Sequence, residues 1–244
     1  MIEHKKRGTS FQELQEKLGK VIANTPAGER LPSEPKLAKQ LHVSRATLRE
    51  AMRAFEGEGI IRRRQGVGTF VISHTHIIES GLEVLESIET LAKRIDLAVE
   101  MGVSNIQYIE ADREFANIFD VPAGSALLQV ERVIVAEERP AAYLIDILPN
   151  DIVSPQELKK GFTGSVLDFI LQRGTPKLAN SVAEINAVAA TSEVARYLEI
   201  QRGDVLLGLT AKLFTEDGQM IDYSSSYFLP GYFHFHVVRR VGKL

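Results

Sequence analysis

The chain has 244 residues, 44% hydrophobic and 25% charged, which suits a soluble protein of one large domain or two ordinary ones. It contains no cysteine, so disulfides, thiolate zinc sites and thiol nucleophiles are excluded. The net charge of −3 is unevenly spread: residues 1–72 hold 14 basic and 8 acidic side chains and the remainder 15 and 24, so a polyanionic partner is expected at the N-terminal end. No apolar run approaches the roughly 18 residues of a bilayer span. Residues 1–13 have no apolar signal core, so a cytoplasmic location without membrane contact is expected.

The first helix is expected to start near Ser10, because Ser10 and Glu13 have capping-box spacing. Phe11, Leu14, Leu18, Val21 and Ile22 then share one face. A second helix follows Ser33 as N-cap, with Pro35 tolerated in the first turn and Leu37, Ala38 and Leu41 facing inward. His42-Val43 make a tight turn, and Ser44 caps a third helix whose buried stripe is Leu48, Ala51, Met52 and Phe55. The opposite face carries Arg45, Arg49 and Arg53. At i,i+4 spacing these repel one another, so an anion is expected to meet them. The alternative, a solvated helix face, gains no ion pair from these neighbours.

Ser44, Arg45, Thr47 and Arg49 cluster at the helix N-terminus, the end a recognition helix presents to base edges. Arginine can bond guanine O6 and N7 in bidentate fashion, and Ser44 or Thr47 can reach a phosphate or a thymine methyl. Residues 60–65 and 69–72 read as strands of a basic hairpin with Gly66-Val67-Gly68 at its tip, where missing side chains allow close backbone approach. Arg62, Arg63 and Arg64 are expected to reach flanking phosphates. Residues 1–73 thus form a winged helix-turn-helix DNA-binding domain.

These residues carry a resemblance. Leu31-Pro32-Ser33-Glu34, Leu37-Ala38, Val43-Ser44-Arg45, Thr47, Arg49, Glu58-Gly59 and Gln65-Gly66-x-Gly68-Thr69-Phe70-Val71 resemble the signature of the GntR family of bacterial transcription regulators over about residues 9–72. The resemblance implies DNA contacts at Arg45, Thr47, Arg49 and the Gly66 wing tip, with Ser44, Arg64, Gln65 and Gly68 beside them. Many members have an arginine directly after Ser-Glu that also touches DNA; this chain has Pro35 there.

Residues 74–97 read as a linker in which Leu82, Leu85, Ile88 and Leu91 suggest a helix. His74/His76 and His234/His236 alternate as on strands, but no carboxylate of fitting spacing accompanies either pair, so no metal or other cofactor is expected. From residue 98 the pattern becomes α+β. Strands are expected at 103–111, 126–136, 141–148, 178–189, 204–216, 219–229 and 232–240, and helices at 112–119, 154–160, 165–173 and 191–198. Turns fall at Glu137–Pro140 and Asp217-Gly218. The hairpins imply a mostly antiparallel sheet with helices packed on it.

Three positions break the apolar pattern. Arg132 shares a strand face with Leu128, Val130 and Ile134, and Asp146 one with Ala142, Leu144 and Leu148. A charge on an apolar face is costly unless paired. Ser165 follows Gly164 at a helix start, where free N–H groups favour anions. Asp222, Tyr223, Ser224, Ser226 and Tyr227 add a polar, aromatic strand. One reading is a small-molecule pocket lined by Arg132, Asp146, Ser165, Asp222 and Tyr227. In the other, Arg132 and Asp146 only pair with each other and Ser165 only caps its helix.

Ala123-Gly124-Ser125-x-Leu127-Leu128, Val130-x-Arg132, Gly164-Ser165-Val166, Asp217-Gly218 and Asp222-Tyr223-Ser224-x-x-Tyr227-Phe228 are similar to the UTRA domain, the effector module of the HutC subfamily, over about residues 98–240. The resemblance implies a chorismate-lyase-like fold, a small-metabolite ligand (often a sugar phosphate or carboxylate), and ligand contacts at Arg132, Ser165, Asp222 and Tyr227. The chain departs from the pattern at Ile134, where a second arginine is common, and at Asp222, where glutamate is usual.

The expected function is a ligand-responsive transcription regulator, most simply a repressor. It would bind a palindromic double-stranded operator as a homodimer and answer to a small metabolite in residues 98–244. The alternatives are a constitutive DNA-binding protein without effector, and a lyase-like enzyme in the C-terminal domain. Against an enzyme stands the lack of a nucleophile elbow, a Walker loop or a metal cluster in the sequence.

Overall fold

A computed structural model describes residues 4–57, 60–64, 66–72 and 78–238. The chain divides into two compact units, Met1–Thr75 with Ala190–Val205, and His76–Ala189 with Leu206–Leu244.

The first unit contains α1 (His4–Ala23), α2 (Glu34–Gln40), α3 (Arg45–Gly57), β1 (Ile61–Arg64) and β2 (Gly68–Val71). Leu14, Leu18, Leu37, Leu48, Met52 and Ile61 are buried together in its core, with Phe11, Val21 and Phe55 packed against them. Burial of each large side chain contributes about 1.5–3 kcal/mol. α1 begins before Ser10, so Ser10 lies inside the helix and does not start it. Lys5, Lys6 and Arg7 favour the extension, and the helix runs through the weaker formers Gly8 and Thr9.

Ser33 occupies the N-cap of α2, but its side chain makes no capping bond. Ser44 does cap α3, accepting a bond from Thr47 N at 3.1 Å. Between them His42 takes φ 56° to close the turn. The wing strands pair antiparallel with Arg62 opposite Phe70 and Arg64 opposite Gly68. α8 (Ser192–Tyr197), capped by Thr191, belongs to the same unit.

The second unit contains β3 (Ile78–Gly81), α4 (Ile88–Arg94), β4 (Val99–Glu110), α5 (Arg113–Phe119), β5 (Ala126–Ala136), β6 (Arg139–Pro149), α6 (Pro155–Gly161), α7 (Val166–Arg173), β7 (Leu178–Ala189), β8 (Val205–Thr215), β9 (Met220–Phe228) and β10 (Phe233–His236). Six strands form one sheet in the order β4-β5-β6-β9-β8-β7. Glu137 (φ 49°) and Glu138 (φ 61°) make the β5–β6 turn, so Arg139 and Pro140 already belong to the strand.

One face of the sheet buries Leu128, Val130 and Leu148 against Leu158 of α6 and Val166 and Ile170 of α7. The other packs Leu127 and Ile147 against Phe115 and Phe119 of α5.

The segment read as a linker is more structured than its sequence suggested. β3 pairs in parallel with β10 as a separate two-stranded sheet. Leu82 and Leu85 lie ahead of the helix; only Ile88 and Leu91 are on α4, which starts where Ser87 Oγ accepts from Thr90 N at 2.9 Å. His74 and His76 lie outside the described residues. His234 and His236 are exposed on β10, with ring centroids 6.2 Å apart. Among the described residues no three His, Asp or Glu side chains are placed to hold a metal.

Candidate functional sites: a basic helix face and a polar cavity

On the first unit the arginines of α3 face outward. The Arg45 and Arg49 side chains are 60% and 52% exposed. Their mutual repulsion is answered by a partner from another helix: Arg49 Nε donates to Glu34 Oε2 at 2.7 Å, and Arg45 Nη2 lies 3.8 Å from the same oxygen. Exposed pairs of this kind contribute only about 0–1 kcal/mol, so a phosphate can displace them. Ser44 Oγ and Thr47 Oγ1 are exposed beside them, 2.8 Å apart.

The wing arginines divide differently from the sequence expectation. Arg62 is buried and donates to the Leu198 carbonyl through Nη2. Arg63 is held between Glu34 and Glu56, each at 3.7 Å. Burial raises the Glu56 carboxyl above its ordinary range, with Arg63 opposing. Arg62 and Arg63 are therefore committed internally. Arg64, 33% exposed, lies over the Phe70 ring at 5.7 Å and 3.8 Å from Glu199. Gly66 (φ 76°) and Gly68 (φ 140°) have backbone conformations that favour glycine, and Gly68 also lies against the Arg30 guanidinium. Gln65 lies outside the described residues.

The second unit contains a cavity of about 580 Å³, a size ordinary for metabolite sites. Its floor is the sheet face shared by Arg132, Leu144, Asp146 and Ser224, and residues 82–91 supply another wall. Arg132 lies opposite Leu144, and Val130 opposite Asp146. Arg132 Nη1 thus reaches Asp146 Oδ2 diagonally, with both side chains nearly fully buried. Ser165, 2% exposed, lines the cavity while its Oγ accepts from Asp168 N at 2.9 Å, capping α7.

Four of the five residues expected from the sequence therefore come together: Arg132, Asp146, Ser165 and Asp222. Tyr227 does not join them. Successive strand residues alternate faces, so Asp222, Ser224 and Ser226 point to the cavity, while Tyr227 stacks on Tyr143 across the sheet pairing, 6.3 Å between centroids. Glu89 was not anticipated. It enters from α4, and a Cβ built on Gly164 would sit 3.0 Å from its Oε1. The signal available was Ser87 three residues before Thr90, a helix start inside the supposed linker.

The cavity leaves polar atoms unanswered by the protein. Arg132 Nε, Asp222 Oδ1 and Glu89 Oε1 are buried without a hydrogen-bond partner. Desolvation pushes the Asp222 carboxyl well above its ordinary range; Asp146 reinforces the shift by charge and by a hydrogen bond, and Arg132 opposes it. Glu89 is raised for the same first reason, with Arg132 again opposing. Orphaned buried atoms of this kind belong to a binding site more readily than to a structural core.

A winged helix-turn-helix with exposed arginines at the start of its recognition helix, in one chain with a sheet unit that holds a polar cavity, defines a DNA-binding regulator with a small-molecule domain. Residues 12–71 match the family model of bacterial regulatory proteins, gntR family, and residues 96–234 match the UTRA domain. The chain belongs to the GntR family, in the HutC-type group that joins this head to a UTRA domain.

It is 28% identical over 197 residues to the HTH-type transcriptional repressor NagR of Bacillus subtilis (strain 168), covering 80% of this chain and 79% of that protein. It is also 28% identical over 187 residues to the histidine utilization repressor of Pseudomonas putida, covering 75% and 72%. Among solved structures, PhnF from Mycobacterium smegmatis shares the fold with a TM-score of 0.62 at 23% identity, covering 94% of this chain and 100% of that one. The chain is a ligand-responsive transcription regulator, and its relatives are regulators rather than enzymes. Among the described residues no helix is long and apolar enough to cross a membrane.

Proposed function

We propose that the protein is a cytoplasmic repressor that binds a palindromic operator as a homodimer and releases it when a small metabolite fills the cavity. The observation that carries this reading is the cavity itself: 580 Å³, with buried and unpartnered polar atoms from Arg132, Asp222 and Glu89. A protein binding DNA constitutively has no use for such atoms, which lower its stability.

In this reading residues 1–73 read DNA, 74–97 connect, and 98–244 sense the effector. Arg45 and Arg49 read bases. Ser44, Thr47, Arg64, Gln65 and the Gly66–Gly68 tip position the backbone. Arg132, Asp146, Ser165 and Asp222 form the effector site. The names of the relatives support repression over activation.

The test is selection of binding sites from random duplex DNA, followed by anisotropy titration of the enriched duplex with and without stabilising metabolites. Enrichment of an inverted repeat whose binding a metabolite weakens supports the proposal. Enrichment of a single half-site counts against the dimer, and operator affinity indifferent to every stabilising metabolite counts against the regulatory role. Coupling is reciprocal, about 1–3 kcal/mol in typical cases, so operator DNA should weaken metabolite binding by the same factor.

A further inference from the structure

The charged side chains of the cavity are lopsided. Among the described residues five carboxylates line it, from Glu83, Glu86, Glu89, Asp146 and Asp222, against one cation, Arg132. Three of the five are engaged elsewhere: Asp146 holds Arg132, Glu86 holds Arg94, and Glu83 accepts from Val238 N. That leaves Glu89 and Asp222, each with a buried oxygen that no protein donor meets. Asp222 is 7% exposed, and the charge of Arg132 is already matched by Asp146.

The start of α7, where an anionic group would otherwise be received, carries acids of its own. Ser165 Oγ accepts from Asp168 N and keeps only its own proton to offer, the Asp168 carboxylate accepts from Ser87 and Thr90, and Glu89 Oε1 lies against Gly164. A phosphate here would meet two carboxylates at close range in a desolvated space, where like charges repel strongly. Arg132 Nε, by contrast, needs only a neutral oxygen acceptor, and Ser224 and Ser226 offer hydroxyls along the floor.

Resting on the metabolite-responsive reading above, we propose that the effector carries a protonated amine together with hydroxyl groups and no phosphate, its ammonium seated between Glu89 and Asp222 and an oxygen on Arg132 Nε. Amino sugars and amino alcohols have this chemistry. Burial raises both carboxyls, and a cation beside them would offset that cost.

The test is thermal melting of the full-length protein at pH 8 with amino sugars, amino alcohols and polyamines, each beside its hydroxyl and phosphate counterparts, for example glucosamine, glucose and glucosamine 6-phosphate. An amine is expected to raise the Tm by several degrees where its counterparts do not. Glu89→Gln is expected to weaken that amine at least tenfold while raising the Tm of the ligand-free protein, because it removes a carboxylate whose charge is penalised by burial. Asp222→Asn should behave alike. A phosphate or neutral compound that stabilises as well as its amine overturns the charge assignment and leaves the metabolite-responsive function standing. A panel without any shift, together with a ligand-free Glu89→Gln protein less stable than wild type, overturns both.

Discussion

Arg132→Met isolates the electrostatics of the cavity from its volume, since methionine keeps an unbranched apolar stem of similar reach. In the wild type, Arg132 neutralises Asp146 and opposes the upward shift of Asp222 and Glu89. Removing one partner of a buried pair costs about 3–5 kcal/mol, because the other charge stays behind without water. The cheapest relief is protonation of the stranded carboxyls. Proton uptake then offsets part of the loss, at about 1.4 kcal/mol per pKa unit.

The stability loss should therefore shrink by about 1.4 kcal/mol for each pH unit of acidification below the shifted value. Urea unfolding followed by tyrosine fluorescence measures it. The chain has no tryptophan, and of its six tyrosines all but Tyr197 lie in the second unit. A deficit below about 1 kcal/mol, or one that is the same at pH 5 and pH 8, would refute a buried, charge-compensating role for Arg132.

The remaining predictions concern both units. Arg49→Ala should weaken operator binding by about 1–3 kcal/mol, roughly 5- to 150-fold in Kd; an equal loss on unrelated duplexes would reassign Arg49 to phosphate contact. Glu34→Gln frees Arg45 and Arg49, so affinity for any duplex at low salt should rise severalfold with a steeper salt dependence, read by anisotropy across a KCl series; weaker binding would mean that Glu34 orients the arginines instead. Gly68→Ala places a Cβ at φ 140° and against Arg30, a strain of about 1–3 kcal/mol, and should lower both Tm and operator affinity; unchanged values in both assays would contradict a strained wing tip.

Glu89 gives a pH signature, with Arg132, Asp146 and Asp168 facing it. Its folded value is raised, so its contribution to stability is complete below the ordinary 4.5 and is lost as pH rises through the folded value. The Tm advantage of Glu89→Gln over wild type should therefore grow from pH 4.5 to pH 8, and a constant difference would remove the buried carboxyl from the argument.

What was legible in the sequence was local. Hairpin turns and strand alternation located the long strands of the six-stranded sheet to within a few residues, and the 3.6-residue stripe located α3. Arg132 and Asp146 were visible because a charge on an apolar strand face demands an explanation. Tyr227 was misplaced by reading a polar run as one surface: it stands five residues from Asp222, an odd separation, and the same period-2 rule puts it on the other face. Glu34 and Glu89 were not legible in their roles, because each acts on side chains far along the chain: Glu34 lies 15 residues from Arg49 and Glu89 43 from Arg132. Charge partners at such separations are set by packing. The β3–β10 pairing escaped for the same reason, since parallel neighbours so distant in sequence share no turn that could announce them.

The two units use the same device at opposite ends of the solvation scale. In the head one carboxylate, Glu34, holds Arg45 and Arg49 over an exposed face; in the body one carboxylate, Asp146, holds Arg132 in a buried one. An exposed pair contributes so little that the many phosphates of a duplex can replace it at small cost, which leaves the arginines ordered before binding yet free to leave Glu34. A buried pair cannot be exchanged in this way, because separating it strands a charge without water. Arg132 is thus fixed scaffolding whose charge is already used. The groups left to choose a ligand are those with a buried oxygen that no protein donor meets, Glu89 and Asp222, and both are acids. The charge of the effector accordingly follows from which carboxylates lack a cation, more than from the presence of an arginine in the cavity.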